Sequence, residues 1–215
     1  MMDRSPPFEN ICKEYKIHSS EMKKINKGIF TYKELLIGNI LWNKFEEAKD
    51  STDILNDEKL KILTLAADYG NETAVGRLLI AYCWGLYALQ KDQPASLELA
   101  RKYADEGSEN AIAYLLNAHL FGWYGLQGNN PAGLELARTY AGAGSEIAVA
   151  HLIDAHCLGW YGLQKNDSEA FVLAKEYAAK NMKIANYFLS SHGSQKSDWL
   201  SCKCQSFWMV WTSEK

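Results

Sequence analysis

Apolar residues recur along most of this chain at helical spacing, in stretches separated by turn residues. Behind a capping box formed by Thr31 and Glu34, residues 32–48 carry apolar side chains every three to four positions and predict a helix. Residues 57–69 predict a second helix that Gly70 ends. The later segments do not alternate between apolar and polar residues as half-exposed strands do. The pattern therefore predicts an all-α fold.

Residues 74–184 contain three similar sequence blocks, which begin at Ala74, Ala111 and Ala148 with a step of 37 residues. The clearest match is LLNAHLFGWYGLQ, which begins at Leu115, against LIDAHCLGWYGLQ, which begins at Leu152. A fixed period of this length indicates stacked supersecondary units, a solenoid. Shifting the block back by one period places a degenerate unit at residues 37–73.

Each block predicts two helices, A and B, joined by an aromatic loop. In the second block, helix A runs from about Ala111 to Gly122, and helix B runs from Asn130-Pro131 to Gly144. The core stripe expected on helix A is Ala111, Leu115, Ala118 and Gly122. The loop residues Trp123, Trp160, Tyr87, Tyr124 and Tyr161 are expected to close the turn over the next helix.

The predicted organisation has three parts. Residues 1–30 form an N-terminal extension, and residues 31–192 form the helical repeat domain with units 37–73, 74–110, 111–147 and 148–184 and a terminal helix at 185–191. Residues 193–215 form a tail with these apolar residues: Trp199, Leu200, Phe207, Trp208, Met209, Val210 and Trp211. Because the last repeat of a solenoid needs its apolar face covered, the tail predicts a capping helix over residues 198–210.

The composition of the chain argues against several classes of function. The net charge is −3 and 47% of residues are hydrophobic, so the chain is globular and lacks the basic footprint of a nucleic-acid-binding protein. No apolar run reaches the 18 residues that a membrane span needs, and no secretory signal is visible. The five cysteines are scattered, which fits a reducing compartment, so we expect a cytoplasmic protein without a disulfide framework.

A few residues look chemical, and helix geometry counts against most of them. His151 and His156 are five positions apart, about 140° around a helix, and Asp154 is about 200° from His156, so these groups do not converge. The small hydrophobic positions Cys83 and Cys157 indicate packing, and the role of Cys202 and Cys204 stays open. We therefore expect no metal, no cofactor, no catalysis and no small-molecule substrate. The competing interpretation is a metal-dependent hydrolase that uses His119 and His156 across a unit boundary.

The blocks resemble the Sel-one-like repeats, helical hairpins of the tetratricopeptide superfamily. The second block places these residues on the family's pattern: Ala111, Leu115, His119, Gly122, Asn129, Tyr140-Ala141 and Gly144. The chain departs from that pattern in a unit one residue longer, in Leu116 where the family has Gly, and in histidine at the family's Tyr position in two blocks. The resemblance implies a right-handed superhelical solenoid that acts as a non-enzymatic scaffold for other proteins.

By analogy with tetratricopeptide repeats, the binding groove is lined by helix A positions away from the core stripe. These positions form three columns across the units: Ile80, Asn117 and Asp154; Trp84, Phe121 and Leu158; Arg77, Tyr114 and His151. The alternative is that the aromatic column only packs between units. The expected function is a scaffold or adaptor for a protein or peptide, with a chaperone-like protein or a secreted effector that binds a host protein as the other possibility.

Overall fold

The computed structural model of the protein describes residues 32–192, which contain nine α-helices and no strand. In chain order the helices are α1 Tyr32–Ala48, α2 Asn56–Asp68, α3 Glu72–Trp84, α4 Gln93–Asp105, α5 Glu109–Phe121, α6 Pro131–Gly142, α7 Glu146–Leu158, α8 Asp167–Ala179 and α9 Lys183–His192. Short 3-10 turns occupy Trp123–Gly125 and Trp160–Gly162. The predicted all-α fold is confirmed. The N-terminal extension and the predicted capping helix at 198–210 lie outside the described residues.

The helices form hairpins that repeat every 37 residues. The A helices are α3, α5, α7 and the final α9, the B helices are α4, α6 and α8, and α1 with α2 forms one more hairpin in front. Helix α5 begins at Glu109, two residues before the position predicted from the sequence. The reason is Ser108, whose side-chain oxygen accepts the backbone N–H of Ala111 and so caps the helix directly before Glu109.

The A helices form the inner layer of the stack. Helix α3 packs on α5, α5 on α7 and α7 on α9, whereas each B helix packs between two A helices and its backbone lies farther from the neighbouring B helices. Because the A helices lie closer together than the B helices, the stack curves towards the A side. The face that the A helices expose is therefore the concave face of the described residues.

The A helices are buried around most of their circumference. In α5 the predicted core residues Ala111, Leu115 and Ala118 are buried, and four further side chains are buried with them: Ile112, Tyr114, Leu116 and Leu120. Helix α5 contacts both neighbouring A helices and the B helices on either side of it. Only a narrow strip of an A helix therefore faces solvent, and that strip is the surface available to a partner.

A ladder of glutamates joins successive A helices. The carboxylate of Glu109, the first residue of α5, accepts hydrogen bonds from Ser145 Oγ at 2.7 Å and from the backbone N–H groups of Glu146 and Ile147 at 3.1 Å. Glu72 binds the start of α5 and Glu146 binds the start of α9 in the same way. Each carboxylate therefore lies against the positive end of the following A helix, which stabilises the stack by roughly 0.3–1 kcal/mol per step.

A second ladder joins successive B helices, and it is incomplete. The Tyr103 hydroxyl donates to Asp68 Oδ1 at 2.8 Å, and one unit later the Tyr140 hydroxyl donates to Asp105 Oδ1 at 3.0 Å. Burial and the adjacent Asp105 carboxylate raise the pKa of Tyr140 to about 12. At the next step the tyrosine is Tyr177, but Gly142 stands where the aspartate would be. The junction between α6 and α8 therefore lacks this bond.

We expect Gly142→Asp to complete the ladder and to raise the free energy of unfolding by about 1 kcal/mol. A hydrogen bond to a charged group contributes roughly 1.5–3 kcal/mol. An acidic residue at a helix C-terminus offsets about 0.3–1 kcal/mol of that gain. A Cβ at Gly142 meets nothing within 4 Å, so the side chain has room. Chemical denaturation of the variant and the wild type measures the change.

Two further variants separate the new bond from the removal of a glycine. Gly142→Ala adds helix propensity alone, and alanine is a better helix former than aspartate, so the new bond is measured by the part of the aspartate variant's stability that depends on Tyr177. Tyr177→Phe in the Gly142→Asp background is expected to remove the extra gain. If Tyr177→Phe lowers the stability of the Gly142→Asp variant by no more than it lowers that of the wild type, the ladder does not extend to this junction.

Candidate partner-binding surface

Three equivalent apolar side chains lie exposed on the concave side, one at the end of each of the helices α3, α5 and α7. Trp84 is 65% exposed, Phe121 is 44% exposed and Leu158 is 45% exposed. They are the last residues of α3, α5 and α7, and they repeat every 37 residues. We call these three residues the apolar stripe. They form one of the three columns predicted from the sequence.

The local chain geometry explains why these positions are exposed. Gly122 follows Phe121 in the left-handed conformation with a φ of 69°, and it ends α5. A Cβ at Gly122 would lie 2.8 Å from Gly128 N and 2.9 Å from Leu126 O, so the loop backbone packs directly on the helix end. Gly85 and Gly159 end α3 and α7 in the same conformation. The loop covers the glycine side of the helix end and leaves the preceding side chain in solvent.

The stripe has aromatic and basic neighbours. Lys91 Nζ lies 5.4 Å from the centroid of the Trp84 ring, a cation–π arrangement. The Phe121 ring lies 5.7 Å from the Trp123 ring of its own loop. The surface therefore offers flat aromatic and apolar area, which is typical of the core of a protein interface, with a lysine beside the first unit.

The second predicted column lies one helical turn before the stripe and is partly exposed. Ile80, Asn117 and Asp154 precede the stripe residues by four positions and so share their side of the helix. Asn117 has a buried side-chain oxygen without a hydrogen-bond partner in the described part of the chain. Burial and the charge of Asp154 raise the pKa of the Tyr161 hydroxyl. This column changes from apolar to amide to acid along the stack.

The side chains of the third predicted column contact the hydroxyl groups of the loop tyrosines. Arg77 Nε donates to the Tyr87 hydroxyl at 3.3 Å, Tyr114 binds the Tyr124 hydroxyl at 2.7 Å, and His151 Nδ1 lies 2.9 Å from the Tyr161 hydroxyl. In each unit an A-helix side chain therefore holds the loop tyrosine ten residues later. Tyr114 is only 1% exposed. A partner on the concave face would meet the first two columns before this one.

The loop tyrosines reach back to the preceding unit, so the prediction that they cover the next helix was wrong in direction. The Tyr124 hydroxyl lies 3.2 Å from Cys83 Sγ of α3, and the Tyr161 hydroxyl donates to the Leu116 carbonyl of α5 at 3.2 Å. Tyr124 and Tyr161 have positive φ values of 59° and 58°. A tyrosine held in this sparsely populated region needs strong support from its surroundings, which these contacts provide.

Two different arrangements fill the same space beneath the loops. Between the first two full units, Ser96 Oγ donates to the Leu79 carbonyl at 2.9 Å and lies 2.7 Å from the Tyr114 hydroxyl. Gly133 stands at the position equivalent to Ser96 in the next unit, and the Tyr161 hydroxyl itself reaches the equivalent carbonyl. Burial raises the pKa of Tyr114 to about 12. These groups are buried and hydrogen-bonded, as structural polar groups are.

The histidines proposed for the alternative hydrolase function lie at equivalent positions of α5 and α7 and are each partly buried. Loss of solvation lowers the pKa of His119 below its ordinary value, which favours the neutral imidazole. Its Nδ1 is buried without a hydrogen-bond partner in the described residues. Residues 32–192 bring together no group of three or more His, Cys, Asp or Glu side chains that could hold a metal ion. None of the helices in this range is long and apolar enough to span a membrane.

A curved stack of α-helical hairpins with a fixed period defines the chain as a helical repeat solenoid. Among solved structures it is similar to a Sel1 repeat protein from Oxalobacter formigenes, with 22% sequence identity, a TM-score of 0.51, and 74% of this chain and 62% of that chain covered. It is also similar to c5321, a protective antigen of uropathogenic Escherichia coli strains with an SLR fold, at 21% identity and a TM-score of 0.48, covering 77% of this chain and 35% of that one.

The chain spans less than two thirds of the length of either of those proteins. No family model and no curated protein matches it. At 22% identity the likeness to the Sel1 repeat protein concerns the fold alone, and it confirms the resemblance noted from the repeat pattern. The protein has the fold of a solenoid of Sel-one-like repeats.

Proposed function

We propose that this protein is a non-enzymatic scaffold that binds a protein or peptide partner along the apolar stripe. The observation that carries the proposal is the exposure of Trp84, Phe121 and Leu158 at equivalent positions on the concave face. The core of the stack does not require apolar residues at positions that remain half-exposed. Aligned apolar side chains of this kind indicate an interface.

The stripe is large enough to anchor a partner. Full burial of one large apolar side chain contributes roughly 1.5–3 kcal/mol, and tryptophan is among the commonest residues that dominate binding energy. The adjacent column changes from apolar to polar along the stack, with Ile80 at one end, Asn117 in the middle and Asp154 at the other end. We infer that the stripe supplies affinity and that this column sets orientation and selectivity, since polar groups at an interface penalise the wrong partner.

The spacing of the stripe favours an extended peptide. Packed helices lie about 8–10 Å apart. A polyproline II segment advances about 3.1 Å per residue with three residues per turn, so every third side chain lies on the same side. A partner segment in this extended conformation with an apolar residue at every third position therefore matches the three stripe residues in turn. The polar column beside the stripe then faces the side chains between them.

No specific observation favours the hydrolase alternative over the scaffold. A catalytic base needs a hydrogen-bond partner that orients it, and the buried Nδ1 of His119 has none in the described residues. We propose no catalytic role, no cofactor and no metal. We also propose a reducing compartment such as the cytoplasm, which is supported by the buried Cys83 thiol outside any disulfide.

We expect the double variant Trp84→Ala/Phe121→Ala to lose its partners in affinity purification from native cells. Truncating two central apolar anchors is expected to lower recovery by about tenfold or more, because each anchor residue contributes over roughly 1 kcal/mol. The readout is quantitative mass spectrometry of proteins that co-purify with the full chain. Circular dichroism establishes that the helices remain.

The matched control removes equally exposed apolar side chains elsewhere. Leu55→Ala/Val172→Ala deletes residues that are 75% and 62% exposed, but neither belongs to the stripe. This variant is expected to keep the wild-type partners. If both double variants recover the same proteins in the same amounts as the wild type, the concave stripe is not the binding site.

A further inference from the structure

The last helix of the described residues, α9, differs from the other A helices on its outer face. Internal A helices carry Ile112 or Val149 at the position where α9 carries Asn186, and Leu116 or Ile153 where α9 carries Ser190. The internal residues are at most 2% exposed, whereas Asn186 and Ser190 are exposed. A polar outer face is what the terminal repeat of a solenoid requires.

The glutamate ladder also ends at this helix. Lys183 occupies the position of Glu72, Glu109 and Glu146. An ammonium group there would face the positive end of a following A helix and would repel it. The outer face of α9 therefore combines polar residues with one exposed aromatic residue, Tyr187, which is 58% exposed. The three residues of the apolar stripe offer the tail a larger apolar surface.

The chain leaves the described residues close to the apolar stripe. Helix α9 packs on α7, and Glu146 at the start of α7 binds the start of α9, so the two helices run parallel and in register. By the 37-residue step His192 is equivalent to Ala155, three residues before Leu158, so it lies near the same end of the stack as Leu158. One helix spacing, about 10 Å, separates these two helix ends.

The length of chain beyond His192 is sufficient to reach and follow the stripe. Six residues, 193–198, precede Trp199, and a linker of this length spans at most about 20 Å. From Leu158 to Trp84 the stripe covers two helix spacings, about 20 Å. Residues 199–211 exceed that length when extended, and they hold seven large apolar residues: Trp199, Leu200, Phe207, Trp208, Met209, Val210 and Trp211.

We propose that residues 199–211 of the same chain occupy the apolar stripe and compete with the external partner. The proposal rests on the proposed function, because it assigns a regulator to the same surface. Removing aromatic side chains from water on both sides drives the contact. A partner then binds only to the fraction of molecules whose stripe is open, so its apparent affinity falls by that fraction.

The test is photo-crosslinking in the full-length protein. A photoreactive benzoylphenylalanine replaces Phe121 in the stripe or, in a separate protein, Asn186 on the outer face of α9. Peptide mapping by mass spectrometry identifies the crosslinked segment, and mixing isotopically heavy and light chains separates contacts within one molecule from contacts between two. We expect position 121 to crosslink to residues 199–211 within one chain, with a yield independent of dilution.

The variant Trp208→Ala/Trp211→Ala is expected to lower that yield about tenfold and to raise partner recovery. Three results would overturn the proposal: tail crosslinks at position 186 instead of 121, mainly heavy-to-light crosslinks, or no tail crosslinks at 121. If the tail crosslinks at 121 but no partner depends on the stripe, the proposed function and the competition fail, and only the occupancy of the stripe by the tail stands. If partners depend on the stripe and the tail does not crosslink there, only this proposal fails.

Discussion

Gly133→Ala is expected to lower the free energy of unfolding by about 2 kcal/mol, although alanine is the better helix former. A Cβ at Gly133 would lie 2.4 Å from Tyr161 Cε1, 2.6 Å from Tyr161 Cδ1 and 2.9 Å from His119 Cβ. The tyrosine ring cannot move aside freely, since Tyr161 is 1% exposed and its hydroxyl donates to the Leu116 carbonyl. Denaturant unfolding followed by circular dichroism measures the loss.

The matched control is the glycine inside an A helix that has room for a side chain. The nearest atom to a Cβ at Gly76 is Asn110 Nδ2 at 3.7 Å, an ordinary contact. Gly76→Ala is therefore expected to stabilise the protein by roughly 0.5–1 kcal/mol. The two alanine substitutions should thus have opposite signs. A Gly133→Ala variant as stable as the wild type would mean that the Tyr161 ring does not fill the space above this glycine.

The repeat architecture could be predicted from the sequence because its signals are local and recur in every unit. The left-handed glycines Gly85, Gly122 and Gly159 and the capping residues before each A helix mark helix ends wherever they occur. A period of 37 residues then fixes how hairpins stack, because only units of equal length can repeat the same contacts. The fold followed from these features without any knowledge of long-range contacts.

The packing beneath the loops could not be predicted, because it depends on contacts between units. Tyr124 and Tyr161 are both loop tyrosines preceded by tryptophan, yet one meets a thiol and a tyrosine while the other enters the space above Gly133. A signal was present in the alignment of the blocks: the position of Ser96 is always small, with Gly133 and Ala170 as its equivalents. A column of small residues at the start of helix B indicates that a large side chain enters there.

The candidate binding surface was harder to predict than the fold, because the A helices are apolar on almost every side. Helical periodicity points to one buried face, but in α5 the residues Ile112, Tyr114 and Leu116 are buried as well as the core residues predicted from the sequence. Sequence alone therefore could not separate Tyr114, which holds a loop, from Phe121, which is exposed. The distinction follows from the αL glycine that ends the helix just after Phe121.

His151 introduces a pH dependence into this packing. Its imidazole lies against the Tyr161 ring and its Nδ1 is 2.9 Å from the Tyr161 hydroxyl. With that hydroxyl donating to the Leu116 carbonyl, its oxygen accepts the proton of His151 Nδ1. Burial lowers the pKa of His151 to about 4, because a charged imidazole would lose its hydration in this site.

We expect the protein to lose about 3 kcal/mol of stability through this one histidine as the pH falls from about 6.5 to 4. Above the unfolded-state pKa the imidazole is neutral in both states, and its contribution is complete. Below that pKa the histidine binds a proton in the unfolded chain but not in the folded chain. Unfolding therefore becomes more favourable until the pH reaches the folded-state pKa of His151. Denaturant unfolding of the wild type across this pH range measures the slope.

His151→Gln isolates this contribution from the other titrating groups. The glutamine amide donates to the Tyr161 oxygen as the imidazole does but binds no proton in this range, and both proteins keep His119. The wild type should therefore lose about 3 kcal/mol more than the variant between the two pH values. An NMR titration in which the His151 imidazole of the folded protein charges near pH 6.5, or unfolding curves that run parallel for both proteins, would show that solvent reaches this ring and that the Tyr161 loop is open.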